Sequence, residues 1–412
     1  MKVLQINCVY DYGSTGKLTK AIHQELLRQG EESVVLYGRG QPVREAQVYK
    51  TCTELEAKAW NVLSRFTGRP YAAAPLGTAA LLRALRRERP DVVHLQCING
   101  FFVNIYTLVG WLKEHQIPTV LTLHADFMFT GGCSSAVDCD QWSLPQGCGS
   151  SPCPYFQRSL IGWKGNPSGA LWKRMKSAFE GFDEGLVVVC VSPWLKERAE
   201  RAPILMGKRH RVILNGLDTN VFRVWDGQSL RLAHHCQSRR VILHVTPQFS
   251  GDKQHLKGGY YVLELARRLP DMVFMVAGKT QGEISAPENV IFLGMITDQQ
   301  LLARYYSMAD TTLLTSRAET FSMVCAESLC CGTPVIGFKA GGPEQIAIKE
   351  YSRFFEYGDL AALENGLRQE SPYSKTEIAE KARERYAQSS MVSQYIALYQ
   401  TLLDHRSPQR ED

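Results

Sequence analysis

Short runs of β-branched or apolar residues alternate with stretches of helical spacing almost from one end of the chain to the other. In the first half, residues 3–7, 33–37, 92–95, 119–123 and 186–191 read as strands, because brief apolar runs bounded by turn formers suit buried extended chain. Between them, 18–28 and 78–89 carry apolar residues three and four apart, as one face of a helix does. The second half restarts the pattern with 241–245, 272–277, 290–293, 311–314 and 334–337, and 323–330 reads as a helix. Strands separated by helices predict parallel sheets covered on both faces, so the fold class is α/β, with two doubly wound, Rossmann-like sheets facing a central cleft. An apolar run at 212–214 meets the turn dipeptide Asn215-Gly216, which sets domains at 1–213 and 214–385. A helical segment over 386–412 closes the second domain or crosses back to the first, and ends in a polar tail from His405 that has no pattern for a core.

Composition narrows the class. A chain of 412 residues exceeds one ordinary core, which agrees with two domains, and 44% apolar with 21% charged residues describes a globular protein. The net charge of +6 is mild and its basic residues are dispersed, so nucleic acid is not called for. Arg83, Arg86, Arg87 and Arg89, and again Lys196, Arg198 and Arg201, fall at helix-face spacings. They form a solvated surface or touch an anionic membrane. The opening MKVLQINCVY lacks the long apolar core of a secretory signal, and no apolar run approaches a bilayer span. The expectation is a cytoplasmic protein, peripheral at most on the inner face of a membrane.

Of twelve cysteines, Cys8, Cys52, Cys97, Cys190, Cys236, Cys325, Cys330 and Cys331 are scattered as core fillers are. Cys133, Cys139, Cys148 and Cys153 lie together in the Gly-, Ser- and Pro-rich stretch 131–155 with Trp142. Such a loop has little core of its own. A structural zinc held by the four thiolates, disulfides, and free thiols all remain open, since the spacing lacks the tight pairs of common zinc sites. Asp138-Cys139-Asp140 matches the D-x-D triplet of metal-dependent transferases but lies far from a strand end, so no metal is required for catalysis.

The richest segment follows the strand at 311–314. Glu319 in the loop and Glu327 on the next helix place two acids in one pocket, with Phe321, Ser322 and Met323 at the helix start between them. The free N–H groups and positive dipole end there suit a diphosphate. Lys257, ahead of Gly258-Gly259, is an ammonium able to neutralise a departing diphosphate. Gly13-Ser14-Thr15-Gly16-Lys17 tempts a P-loop reading, which fails because Asp11 stands where glycine is needed and Leu18 where Ser or Thr is. What remains is a glycine-bearing loop at a helix N-terminus. His124 ends a strand, where an imidazole can hydrogen-bond a sugar hydroxyl.

The run RAETFSMVCAESLCCGTPVIGFKAGGPEQI resembles the E-x7-E region of family-4 retaining glycosyltransferases, a GT-B family. Val212-Ile213-Leu214-Asn215-Gly216-Leu217-Asp218, with Phe222 after it, resembles the family's interdomain segment, and Lys257-Gly258-Gly259 its donor-phosphate lysine. The resemblance covers nearly the whole chain. It implies that Glu319 lies against the donor sugar, Glu327 holds the ribose hydroxyls, and His124 touches the transferred sugar. Gly13 and Gly16 would approach the donor phosphate or the acceptor. The family's usual arginine upstream of the lysine is replaced by Thr246-Pro247-Gln248-Phe249, leaving Lys253 as the available substitute. Cysteines like these four recur in a branch with colanic-acid-type polysaccharide transferases.

The implied activity is retaining hexosyl transfer from a nucleotide-diphosphate sugar to a saccharide, often lipid-linked, in surface polysaccharide synthesis. The rival readings are a sugar-nucleotide epimerase and a non-catalytic sugar-nucleotide-binding subunit.

Overall fold

Thirteen strands form two all-parallel sheets in a computed structural model that describes residues 1–70, 72, 74–153 and 166–404. The polar tail from His405 lies outside these residues. The chain divides into two units, Met1–Ile213 together with the chain from Val392 onward, and Leu214–Met391.

The first unit contains β1 (Lys2–Asn7), β2 (Glu32–Tyr37), β3 (Val48–Lys50), β4 (Val92–Leu95), β5 (Thr119–Leu123), β6 (Leu186–Cys190) and β7 (Arg209–Val212). Their order is β3-β2-β1-β4-β5-β6-β7, so the direction of winding reverses between β1 and β4. Every residue of β4, β5 and β6 is buried, as expected of strands covered on both faces. The run at 212–214 is strand only at its first residue. The chain leaves the sheet after Val212, and Gly216 then passes so close to Gln388 that a Cβ would lie 2.6 Å from its Cα.

The last helix, Gln388–Asp404, contributes Tyr395 and Tyr399 to the first unit. There the Tyr399 hydroxyl meets His94 Nδ1 at 2.7 Å, His94 Nε2 meets Thr122 Oγ1 at 2.8 Å, and Thr122 Oγ1 meets the Tyr395 hydroxyl at 3.0 Å. All four side chains are buried, and desolvation holds His94 neutral with its pKa lowered to about 3.

The second unit contains β8 (Val241–Phe249), β9 (Val273–Thr280), β10 (Val290–Gly294), β11 (Thr311–Leu314), β12 (Val335–Phe338) and β13 (Ser352–Phe355), ordered β10-β9-β8-β11-β12-β13. Its core joins Ile242, Phe274, Leu313 and Ile336 of the sheet to Val262, Leu265 and Ala266 of the helix Gly259–Arg268 and to Leu363 and Leu367 of the helix Leu360–Arg368. The reversal of winding falls between β8 and β11. In such sheets the loops leaving the carboxyl ends of the two strands at the reversal splay apart and leave a crevice for ligands.

Candidate functional site

The loop after β8 carries Lys257 and the loop after β11 carries Glu319, so the reversal in winding brings them together. Lys257 Nζ donates to Glu319 Oε1 at 2.5 Å, with both side chains partly open to solvent. Backbone contacts lock the two loops. Arg317 N donates to Leu256 O at 2.8 Å, and Thr315 Oγ1 donates to Lys257 O at 3.1 Å. Gly258 permits this approach: it is left-handed (φ 66°), and a Cβ there would fall 2.0 Å from Thr315 O.

Glu319 is held from its other side by the chain beyond β12. Its N–H donates to Ala340 O at 2.9 Å, and its carbonyl accepts from Gly342 N at 2.8 Å. Glu344 fixes that chain by accepting from the N–H groups of Ala340 and Gly341, each at 2.9 Å. A Cβ on Gly342 would lie 2.4 Å from Thr320 O, and Gly341 before it takes a positive φ of 103°, so each position favours glycine.

The helix Met323–Cys330 opens directly behind Glu319. Ser322 caps it, with Oγ accepting from Cys325 N at 3.3 Å, and takes a left-handed backbone (φ 74°) unusual for a residue with a side chain. Phe321 is buried beneath this turn, and Met323 is half-buried at the helix start. On the same helix Glu327 Oε2 accepts from the Tyr306 hydroxyl at 2.9 Å. Tyr306 is wholly buried on the helix Gln299–Met308, and Thr333 Oγ1 bonds its carbonyl at 2.6 Å. In the sequence the spacing of Tyr306 marks it only as a core residue. His244 of β8 is buried and bonded through Nδ1 to Leu313 O at 3.0 Å. Burial, with Lys257 adding repulsion, lowers its pKa to about 4.

Each remaining expected residue has surroundings of its own. The Lys253 ammonium sits 5.6 Å from the Tyr260 ring centroid. Gly13 and Gly16 belong to the helix Gly13–Arg28, whose first turn occupies what reads in sequence as a loop. Gly13 is left-handed and open, whereas Gly16 is buried, with Val9 and the backbone of Asp11 about its Cα. His124 is half-buried after β5, and desolvation lowers its pKa to about 4, so the imidazole is neutral near neutral pH.

The cysteine-bearing loop has more core than its composition suggests. Trp142 is completely buried, donates from Nε1 to Cys139 O at 2.7 Å and packs edge-on against Phe129. The Arg198 guanidinium lies over the rings of Trp142 (4.4 Å) and Trp194 (4.7 Å) and pairs with the buried Asp126 at 2.9 Å. Gly147 admits the Trp172 ring. Cys133, Cys139, Cys148 and Cys153 are free thiols, and burial raises Cys133 to about 12 and Cys148 to about 11. Cys139 and Cys153 lie close enough to add repulsion at both Cys133 and Cys148, and among the described residues no three His, Cys, Asp or Glu side chains are gathered as a metal site. Of the eight scattered cysteines, Cys8 and Cys97 are half-buried and the other six are buried.

Comparison with known proteins bears on the family and the fold. The family model for Glycosyltransferase Family 4 matches residues 15–221, and that for Glycosyl transferases group 1 matches residues 249–385. The chain is 24% identical to the putative colanic acid biosynthesis glycosyl transferase WcaC of Escherichia coli, over 98% of this chain and 100% of that one. It is 32% identical to N-acetyl-alpha-D-glucosaminyl L-malate synthase of Bacillus anthracis, over 97% and 96%. Among solved structures, Anabaena Alr3699/HepE in complex with UDP superposes with a TM-score of 0.65 at 16% identity, over 97% of this chain and 100% of that one. Two Rossmann-like parallel sheets, two family models in register with them and full-length relatives lead to one conclusion: the chain belongs to glycosyltransferase family 4 and is a glycosyltransferase of GT-B fold.

Proposed function

We propose that this glycosyltransferase moves a hexosyl group from a nucleoside diphosphate sugar to a hydroxyl of a lipid-linked saccharide, with retention of configuration, in the assembly of a surface polysaccharide. The observation that carries the donor site is the Lys257–Glu319 pair at the reversal of the second sheet, directly ahead of the Ser322-capped helix. A lysine already partnered by a carboxylate is ordered before the donor arrives. A diphosphate then competes with Glu319 for the ammonium and frees the carboxylate to accept from sugar hydroxyls.

Phosphate oxygens are met by Lys257 and by the N–H groups at the start of the helix Met323–Cys330. Glu327, steadied by Tyr306, accepts from the ribose hydroxyls. His124, neutral near neutral pH, exchanges a hydrogen bond with the transferred sugar. The bond from the anomeric carbon to the phosphate oxygen breaks as the acceptor oxygen attacks from the same face. The acceptor proton passes to the departing phosphate, whose charge Lys257 and the helix start stabilise. The colanic acid relative supports a polysaccharide product, and the UDP held by the HepE structure supports a nucleoside diphosphate leaving group.

The test is transfer to saccharide acceptors by folded Lys257→Ala and Glu319→Ala variants, after a thermal-shift panel of nucleotide sugars has identified the donor. Loss of about 10²-fold or more in kcat is expected for each. Full rates in either would sink the assignment, as would isomerisation of the donor in the absence of acceptor. Tight donor binding with no transfer or hydrolysis across many acceptors would do the same.

A further inference from the structure

The basic clusters noticed in the sequence are largely occupied within the protein. Arg198 is half-buried against Asp126 and two tryptophans, Lys196 pairs with Glu200, Arg87 pairs with Glu88, and Arg86 lies over Trp111. A different surface of the first unit is open. The helix Glu54–Thr67 buries only Ala57 and Ser64, two small residues on one side. At about 100° per residue, Leu55, Ala59, Val62 and Phe66 fall within roughly 60° of arc on the opposite side. Their exposures are large: Leu55 82%, Val62 56% and Phe66 51%. Leu63, 43% exposed, widens the stripe, and Leu76, 75% exposed at the start of the helix Pro75–Glu88, is tied to the first turn by its N–H, which donates to Glu56 at 2.9 Å.

Single exposed apolar residues are ordinary, but a continuous stripe along a helix marks a contact surface. Charge identifies the kind of partner. Lys58 and Arg65 flank the stripe along one edge and are exposed, and exposed Arg69 follows the helix. The two acids of the helix are turned to other work: Glu54 accepts from Arg39 and Gly40 N, and Glu56 from the N–H groups of Leu76 and Gly77. The exposed arc is therefore apolar with a cationic border and no anion, the pattern of a helix that lies in the headgroup plane of an anionic bilayer.

We infer that the helix Glu54–Thr67 is a docking element for anionic lipid, inserting Leu55, Val62 and Phe66 among the headgroups while Lys58 and Arg65 meet phosphates. This deepens the proposal of a lipid-linked acceptor, because it would keep the enzyme at the surface where such an acceptor resides. One helix with three large apolar side chains gives reversible binding, consistent with exchange on and off the membrane.

The test is flotation of the full-length protein with vesicles of phosphatidylglycerol and phosphatidylethanolamine, against vesicles of phosphatidylcholine alone. Binding to the anionic vesicles, weakened by salt, is expected, with a loss of about tenfold or more in a Val62→Asp, Phe66→Asp double variant and a similar loss in Lys58→Gln, Arg65→Gln. Both sites are exposed, so circular dichroism and Tm should match the native chain. The inference is overturned if the native chain ignores anionic vesicles, if either double variant floats as well as the native chain, or if the stripe is found to bury itself in a lipid-free dimer that Val62→Asp, Phe66→Asp dissociates. Transfer to a water-soluble acceptor should be unchanged in both variants. Vesicle binding without transfer by any form would instead count against the proposed reaction alone.

Discussion

Tyr306 is a positioning residue, since it reaches the proposed ribose site only through Glu327. Its hydroxyl is wholly buried and points one carboxylate oxygen, which leaves the rest of that carboxylate oriented before the ligand arrives. A hydrogen bond to a charged acceptor is worth about 1.5–3 kcal/mol, so Tyr306→Phe should raise KM for the donor about tenfold or more while kcat changes little. Steady-state kinetics over donor concentration read this directly. A variant that lost kcat at unchanged KM would show that the tyrosine acts elsewhere. Nothing in the residue pattern marks Tyr306 for this work, because a buried tyrosine at helical spacing looks like any other core residue. The reading of Glu319 and Lys257 as partners to one ligand was available in the sequence, but their direct contact was not.

Loops decide how these residues meet. The close passage of Gly258 past Thr315 and of Gly342 past Thr320 pulls three loops together at the carboxyl ends of β8, β11 and β12. In the first unit, the cysteine-bearing loop is clamped onto the helix Pro193–Arg201 by Arg198, which serves at once as ion partner to Asp126 and as a cation over two indole rings. Arg198→Ala would leave Asp126 buried beside a lost cation, a change that costs about 3–5 kcal/mol. Thermal unfolding should show a drop of many degrees. Arg198→Lys should recover only part of it, because an ammonium cannot stack as a guanidinium does. If Arg198→Ala melts with the native chain, the clamp is not what holds the loop. From sequence, this arginine read as one of a surface cluster. Helical spacing cannot reveal that a loop some sixty residues earlier folds over it.

At the scale of the molecule, stability should be sensitive to acid. His94, His124 and His244 have pKa values lowered to about 3, 4 and 4 by burial, whereas an unfolded histidine titrates near 6.5. Below about pH 6.5 the unfolded chain binds protons that the folded chain refuses, so stability is full above that pH and falls as pH is lowered toward about 4. Tm measured from pH 8 to pH 5 should decline on the acid side, and His94→Gln should flatten part of the decline. A level Tm across that range would contradict the assignment. His94 also anchors the end of the chain, since Tyr399 and Tyr395 return to the first unit and complete its buried polar network.

Strand and helix pattern, two parallel sheets, and the family resemblance of the segment with its two glutamates were all legible in the sequence, because period and turn chemistry are local and the motif residues are close in the chain. The short β3 and β13 and the helix Glu54–Thr67 were not, since three or four residues carry little periodicity and a helix that buries two small residues shows no apolar face directed inward. Tertiary structure alone decided the rest. The winding reversal joined Lys257 to Glu319 across sixty-two positions, packing turned Tyr306 toward Glu327 and Arg198 inward, and exposure singled out Leu55, Val62 and Phe66. Each of these depends on which segments touch, and that follows from the sum of many weak contacts over the whole chain, not from any local pattern of residues.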